Sequence, residues 1–171
     1  MRYNVTEYAN SQLYGLPVAV IDFETTGVDP HLCRAVEMAI VHLELGKANP
    51  EVVYKSRFNP GIPIPEGASD IHGIRDEDVA NEPFFGDAIE EINVLLEGRV
   101  LAAYNLPFDW TVLNCEYRRS GRWHPTERQR LDMGHQFFGL CGLVMAREVD
   151  NYSRGRGFHK LSSVCDRRGI D

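Results

Sequence analysis

Apolar residues are concentrated in three segments along the first third of the chain, each with the length of a β-strand. The segments cover residues 18–25, 35–44 and 52–58. Short apolar runs bounded by turn residues are typical of strands. The connections, residues 28–32 and 45–50, are short, which favours an antiparallel meander of three strands.

The pattern changes to a helical period near the middle of the chain. Residues 59–82 are rich in proline, glycine and acids, and they predict loops with short helices. After Phe84, apolar residues recur three or four positions apart up to Leu96, and Gly98 offers a helix stop. An apolar strand is predicted over residues 100–104.

The remaining segments continue the alternation of helix and strand. A helix is predicted from Asn105, with Pro107 in its first turn, to about Gly121. The elements expected after it are a short strand at 130–133 and helices at 137–147 and 160–168. A meander followed by alternating helices and strands predicts an α/β fold with a mixed sheet flanked by helices.

The composition is that of one globular domain. Hydrophobic residues make up 43% and charged residues 25% of the 171 residues, and no apolar segment is long enough to span a membrane. The formal net charge of −7 argues against broad electrostatic binding along duplex nucleic acid, but not against a small cleft that holds a strand end through metal ions. Four scattered cysteines and an N-terminus without a signal-peptide pattern lead us to expect reduced thiols and a cytoplasmic location.

Two acidic residues interrupt the apolar first strand. Asp22 and Glu24 are two positions apart, so both side chains point to the same face of the strand. Carboxylates side by side at a buried strand end repel each other, and burial penalises their charged forms. Cations between them remove both costs, and oxygen ligands suit Mg²⁺ or Mn²⁺ rather than Zn²⁺. The alternative is a solvated strand end, against which the apolar lead-in and the Thr-Thr-Gly turn argue.

A third acid, Asp109, lies in the first turn of the helix that follows the predicted strand at 100–104. In an α/β sheet, such a strand end commonly borders a functional crevice. The alternative is an acid that only complements the helix dipole.

Three segments together resemble one family. Asp-x-Glu-Thr-Thr-Gly at 22–27, His72-Gly73-Ile74 and Asn-x-x-Phe-Asp at 105–109 occur in the order seen in the DEDD superfamily of 3′–5′ exonucleases, the DnaQ-like proofreading group. The resemblance covers residues 17–171. It implies a ribonuclease H-like fold, with a mixed five-stranded sheet of order 3-2-1-4-5 flanked by helices.

The resemblance also implies a function and a set of site residues. Asp22, Glu24 and Asp109 would be the catalytic carboxylates that bind two Mg²⁺ or Mn²⁺ ions. The substrate would be the 3′ end of a single strand, DNA rather than RNA, with a polymerase as a possible partner. The residues implied in nucleotide binding are Phe23, Thr25, Thr26, His72, Asn105 and Phe108. As alternatives, Phe23 faces the core, the threonines only make the turn, and His72 has a capping or core role.

The chain departs from the family in its last motif. The family carries a general base and a fourth acid in a late His-x-x-x-x-Asp motif, which this sequence lacks. His159 and Asp166 have the wrong spacing, and Asp132 matches a non-catalytic position. We therefore expect a lead-in at residues 1–15 and an exonuclease-like domain at 16–171 that lacks its C-terminal helix. The alternative function is an inactive nucleic-acid-binding or interaction module.

Overall fold

The computed structural model describes residues 14–47, 49–122, 139–150 and 159–169, and a five-stranded sheet lies at its centre. The strands are β1 (Pro17–Thr25), β2 (Ala35–Glu44), β3 (Glu51–Arg57), β4 (Val100–Ala103) and β5 (Gly139–Cys141). β1, β2 and β3 form an antiparallel meander, whereas β4 runs parallel to β1 and β5 parallel to β4. The order β3-β2-β1-β4-β5 confirms the predicted mixed sheet.

Helices flank this sheet. Within the described ranges they are α1 (Glu66–His72), α2 (Asp76–Val79), α3 (Phe85–Leu96), α4 (Leu106–Arg119), α5 (Gly142–Asp150) and α6 (Leu161–Arg168). The predictions for α3, α4 and α6 are confirmed to within a few residues, and Gly169 ends α6 in the left-handed conformation. None of the described helices is long and apolar enough to cross a membrane.

The helix predicted over 137–147 is wrong in its first part. Residues Gly139–Cys141 form β5, which pairs in parallel with β4, and α5 starts only at Gly142. Gly142 passes close to Tyr104, because a Cβ atom at this glycine would lie 3.1 Å from Tyr104 Cδ2. A short apolar run does not distinguish a buried strand from a helix start, so only the ladder with β4 decides. The strand predicted at 130–133 lies outside the described residues.

The main core lies between one face of the sheet and the helices α3 and α4. Ile21 and Phe23 of β1 pack there against Ile89 of α3 and against Val112 and Tyr117 of α4. Each apolar side chain of this size stabilises the fold by roughly 1.5–3 kcal/mol when it is buried. Because side chains alternate along β1, this packing directs Asp22 and Glu24 to the other face of the sheet.

Candidate active site

The three predicted acids come from two elements that meet beside β1. Asp22 and Glu24 lie near the C-terminal end of β1, and Asp109 lies in the first turn of α4. β4 pairs with β1 only as far as Val20, so the edge of β1 beyond that point is open to α4. There the backbone N–H of Phe23 lies close enough to the Asp109 carboxylate to lower its pKa. Asp109 itself is only 5% exposed.

The electrostatics of Asp109 tie it to the other two acids. Burial is the largest cause that raises the pKa of Asp109, and the charge of Asp22 is the next, with a smaller contribution from Glu24. Hydrogen bonds from backbone N–H groups oppose this shift. The net effect moves the pKa of this carboxyl from 3.8 to about 7. Asp109 therefore titrates near neutral pH, and a positive charge placed beside its carboxyl would lower its pKa.

Asp22 and Glu24 are shifted in the same direction. Burial is the main cause that raises the pKa of each carboxyl, although Asp22 is the most exposed of the three acids. The charge of Asp22 raises the pKa of Glu24 further. Like charges that stay this close in a fold are a feature of functional sites.

Glu37 is a fourth acid on this face that sequence reasoning missed. It lies directly opposite Glu24 in the β1–β2 ladder, and its charge raises the pKa values of both Asp22 and Glu24. Lys55 Nζ and Arg57 Nε of β3 lie 3.2 Å and 3.3 Å from its carboxylate oxygens. The register between β1 and β2 was the signal that could have found it.

His72 is brought to the same place from α1. Its charge lowers the pKa of Glu24, which puts the imidazole within electrostatic reach of that carboxylate. Nδ1 accepts a hydrogen bond from the N–H of Ile74 at 3.1 Å. Nε2 is shielded from solvent and has no hydrogen-bond partner within the part of the chain that the structure describes.

The other residues implied in nucleotide binding have different placements. The Phe23 side chain lies in the core, with its ring centroid 6.2 Å from that of Phe85. Thr25 Oγ1 donates to the carbonyl of Gly27 at 2.7 Å, and Thr26 Oγ1 accepts the Arg34 N–H at 3.0 Å. The side chain of Phe23 thus faces the core, and those of Thr25 and Thr26 stabilise the turn, as the alternatives to nucleotide binding predicted. Their roles in nucleotide binding stay predictions.

Asn105 and Phe108 lie at the start of α4, next to Asp109. Asn105 is the N-cap residue and is exposed, and its side chain makes no capping hydrogen bond. Phe108 is half-buried and packs against the core. Both therefore flank the carboxylates on the helix side of the site.

The donor set fits a divalent cation by its chemistry, but it is not closed around one. The pKa values of all three carboxyls are raised, with the charge of Asp22 contributing at Glu24 and Asp109, and oxygen ligands are those that Mg²⁺ and Mn²⁺ prefer. Among the described residues, however, no group of three Asp, Glu, His or Cys side chains is arranged so that it could hold an ion. Asp22 and Glu24 would therefore have to turn towards the fixed Asp109.

The late residues weighed as substitutes lie elsewhere or outside the described part of the chain. The backbone carbonyl of His159 accepts a hydrogen bond from the Tyr104 hydroxyl. Asp166 is exposed on α6. Asp132 lies outside the described residues. The main charges acting on the three carboxylates come from one another, Glu37, His72 and Lys55.

Comparisons of sequence point to one family. The RNase_T exonuclease model matches residues 19–162. A DNA polymerase III subunit epsilon-like protein of Rhodobacter capsulatus is 35% identical over 165 residues, which are 95% of this chain and 21% of that protein. The DNA polymerase III subunit epsilon of Pasteurella multocida is 27% identical over 160 residues, or 89% of this chain and 57% of that protein.

Solved structures show the same fold. E. coli exonuclease I in complex with a dT13 oligonucleotide matches with a TM-score of 0.68 and 19% identity, over 91% of this chain and 36% of that chain. At this identity the likeness shows the ribonuclease H-like fold alone. The chain spans only part of the length of these relatives. The family model nevertheless covers most of the sequence, and the chain therefore belongs to the RNase_T exonuclease family, within the DEDD superfamily of 3′–5′ exonucleases.

Proposed function

We propose that this chain carries the site of a divalent-metal-dependent 3′–5′ exonuclease that releases nucleoside monophosphates from single-stranded DNA ends. The observation that carries the proposal is the burial of Asp109 beside Asp22 and Glu24, with the pKa values of all three raised. A fold keeps such a cluster at a cost in stability, and a function that needs the charges accounts for that cost.

The names of the relatives support the substrate and the setting. Two of them are an epsilon-like protein and an epsilon subunit of DNA polymerase III, and exonuclease I has been solved with a thymidine oligonucleotide. We infer from this a single-stranded DNA end as substrate, a polymerase as a possible partner, and a cytoplasmic location.

Asp22, Glu24 and Asp109 would hold the ions, since DEDD exonucleases generally use divalent metals. Bound divalent ions supply an activated water and stabilise the leaving 3′ oxygen. The protein would contribute a fixed ligand in Asp109, whose position is set by its burial in the first turn of α4. Asp22 is exposed and has room to turn. Glu37 is already paired with Lys55 and Arg57, so it adds negative potential without being an available ligand.

The terminal nucleotide would lie between α1 and the start of α4. His72 presents a shielded Nε2 beside Glu24, and a phosphate or sugar hydroxyl oxygen would give this nitrogen a partner. Asn105, whose side chain makes no capping hydrogen bond, offers an amide on the other side, and Phe108 offers an apolar surface. Phe23 would contribute through its backbone, whereas Thr25 and Thr26 would shape the turn below the nucleotide.

We expect slow hydrolysis by this chain alone. The sequence has no His-x-x-x-x-Asp motif, and loss of a general base typically costs about 10²–10⁴ in rate.

Hydrolysis of a labelled oligonucleotide tests the proposal. A 5′-labelled thymidine oligonucleotide incubated with Mn²⁺ should shorten one nucleotide at a time from its 3′ end, and Asp22→Asn should abolish the shortening. Glu97→Gln, at an exposed position beyond the end of α3, is the matched control and should keep the full rate. Equal shortening by Asp22→Asn and by the unsubstituted chain would contradict the proposal.

One observation favours the alternative, an inactive nucleic-acid-binding or interaction module. It is the lack of a preformed three-ligand group among the described residues. An oligonucleotide that binds but is not shortened in Mn²⁺, even at high protein concentration, would support this alternative instead.

A further inference from the structure

A cleft opens between the start of β2, the start of α3 and the end of α4. Its volume is about 410 Å³, which is within the range of small-ligand sites. Three arginines, Arg34, Arg119 and Arg122, and the aromatic ring of Phe84 are among the side chains that line it. Three arginines within one cleft are a local concentration of cationic side chains in a chain of formal net charge −7.

Two of these arginines are already engaged. Arg119 lies 2.9 Å from the buried carboxylate of Glu116 and also donates to the carbonyl of His31. Arg122 pairs with Glu90. The acids that line the cleft are Glu116, which also accepts the Ala35 N–H, and Asp87, which accepts the Phe84 N–H at 3.1 Å.

Arg34 is different from its neighbours. Its guanidinium has no hydrogen-bond or ion-pair partner among the described residues, although its backbone is fixed by hydrogen bonds with Thr26. Phe84 is the second unengaged group, because its ring is 58% exposed and lies beside Gly61 at the mouth of the cleft. The cleft thus presents a guanidinium and an open aromatic face together.

We propose that this cleft binds a phosphate of a single-stranded nucleic acid, with Arg34 on the phosphate and Phe84 against a base. A guanidinium fork matches two phosphate oxygens. An exposed aromatic ring stacks on any base, without regard to sequence. This subsite deepens the exonuclease proposal and rests on it for the direction of the strand.

The position of the cleft predicts how long a strand must be to reach it. Ala35 in the cleft pairs with Thr25, next to Glu24, so cleft and carboxylates share one end of β1. Along α4, Asp109 and Arg119 are separated by about 15 Å at 1.5 Å per residue. A stacked strand with its 3′ end at the carboxylates covers that distance in about four nucleotides and spans the cleft as far as Arg119. Arg34 lies nearer to the carboxylates, because its backbone pairs with Thr26, two residues beyond Glu24.

Binding without hydrolysis tests the subsite. We would measure the affinity of the chain for 5′-labelled octathymidylate in EDTA over a salt series. Arg34→Ala should weaken octamer binding about tenfold and reduce the slope of log affinity against log salt by about 0.7. Phe84→Ala should weaken octamer binding to a similar degree, without a change in the slope.

Arg99→Ala is the matched control. Arg99 follows the opposite end of α3, about 18 Å along the helix from the cleft, and its removal subtracts the same charge. It should leave octamer binding unchanged. Arg34→Lys should keep the salt slope but lose affinity, because the ammonium keeps the charge and lacks the fork. Thermal melting of each variant establishes that the fold is intact.

Two results would overturn the subsite: no octamer binding by the unsubstituted chain, or an equal loss in Arg99→Ala. These outcomes are separate from the exonuclease proposal. Carboxylate-dependent shortening with no effect of Arg34→Ala on octamer binding would overturn only the subsite. Weaker octamer binding by Arg34→Ala, together with no carboxylate-dependent shortening, would overturn only the exonuclease proposal.

Discussion

Asp109 is the residue on which the site depends most, because its burial and its two acidic neighbours leave it with a pKa of about 7. Its place in the chain could be predicted from the sequence, since a strand followed by Asn-x-Pro sets the first turn of α4 and its acid. The face shared by Asp22 and Glu24 could be predicted from the period of a strand. Glu37 could not be placed, because its position opposite Glu24 depends on the hairpin register, including an irregularity at Glu24/Thr25.

The first prediction at this scale concerns pH. The pKa of Asp109 is raised in the folded state above its ordinary 3.8, so the folded protein binds more protons than the unfolded chain between about pH 4 and 7. The free energy of unfolding of the metal-free protein should therefore fall as pH rises through that window, by roughly 4 kcal/mol at most from this group. Asp109→Asn should remove much of the fall.

Urea unfolding in EDTA at pH 5 and pH 8 measures this effect. The free energy of unfolding of Asp109→Asn, relative to that of the unsubstituted protein, should be higher at pH 8 than at pH 5. The exposed Asp70→Asn serves as control and should show no such change. If Asp109→Asn changes the free energy of unfolding by the same amount at both pH values, the pKa of Asp109 is not raised in the folded state.

The second residue-scale prediction separates function from folding. Asp22→Ala or Glu24→Ala removes one of several clustered like charges, so the melting temperature without metal should hold or rise. Hydrolysis of a labelled single strand should be lost in the same variants. A melting temperature many degrees lower would show that these acids are structural.

Single elements show where sequence patterns suffice and where they do not. α3 and α4 are strongly periodic and have clear start and stop residues, so their bounds follow from the sequence. β5 is three residues long and is a strand only because it completes the ladder with β4. Local sequence carries no signal of that partner, which is why a helix was predicted there.

The packing of α3 against the end of α4 gives the element-scale prediction. A Cβ atom at Gly86 would lie 2.8 Å from Ser120 Oγ and 3.3 Å from its Cβ, whereas one at Gly67 in α1 would meet nothing within 4 Å. Both glycines are the second residue of their helix. Gly86→Ala should therefore destabilise the fold by about 1–3 kcal/mol. Gly67→Ala should be neutral or stabilise by up to about 1 kcal/mol.

Chemical denaturation of both variants and of Gly86→Ala/Ser120→Gly provides the check. The double variant removes the obstructing side chain and should recover part of the loss. If Gly86→Ala is as stable as Gly67→Ala, the close approach of the two helices is not a constraint.

At the scale of the whole molecule, the fold places two surfaces, the carboxylate cluster and the arginine-lined cleft, at one end of a single sheet. The carboxylates lie on one face of β1, and the arginine cleft opens on the side of α3 and α4. Under the two proposals made above, an acidic chain would hold a polyanion locally, through ions at the strand end and a guanidinium further along the strand. The sheet order and the elements that carry Asp22, Glu24 and Asp109 followed from the sequence. The cleft did not, because its lining residues come from four separate segments.

Metal binding tests the central claim, that Asp22, Glu24 and Asp109 form one divalent-ion site, most directly. Titration of Mn²⁺ into the chain, followed by electron paramagnetic resonance of the unbound ion, measures affinity without any need for turnover. We expect saturable binding that is at least tenfold weaker in each of Asp22→Asn, Glu24→Gln and Asp109→Asn and unchanged in Glu97→Gln. Binding of equal strength in all four variants, or none in the unsubstituted chain, would contradict the account.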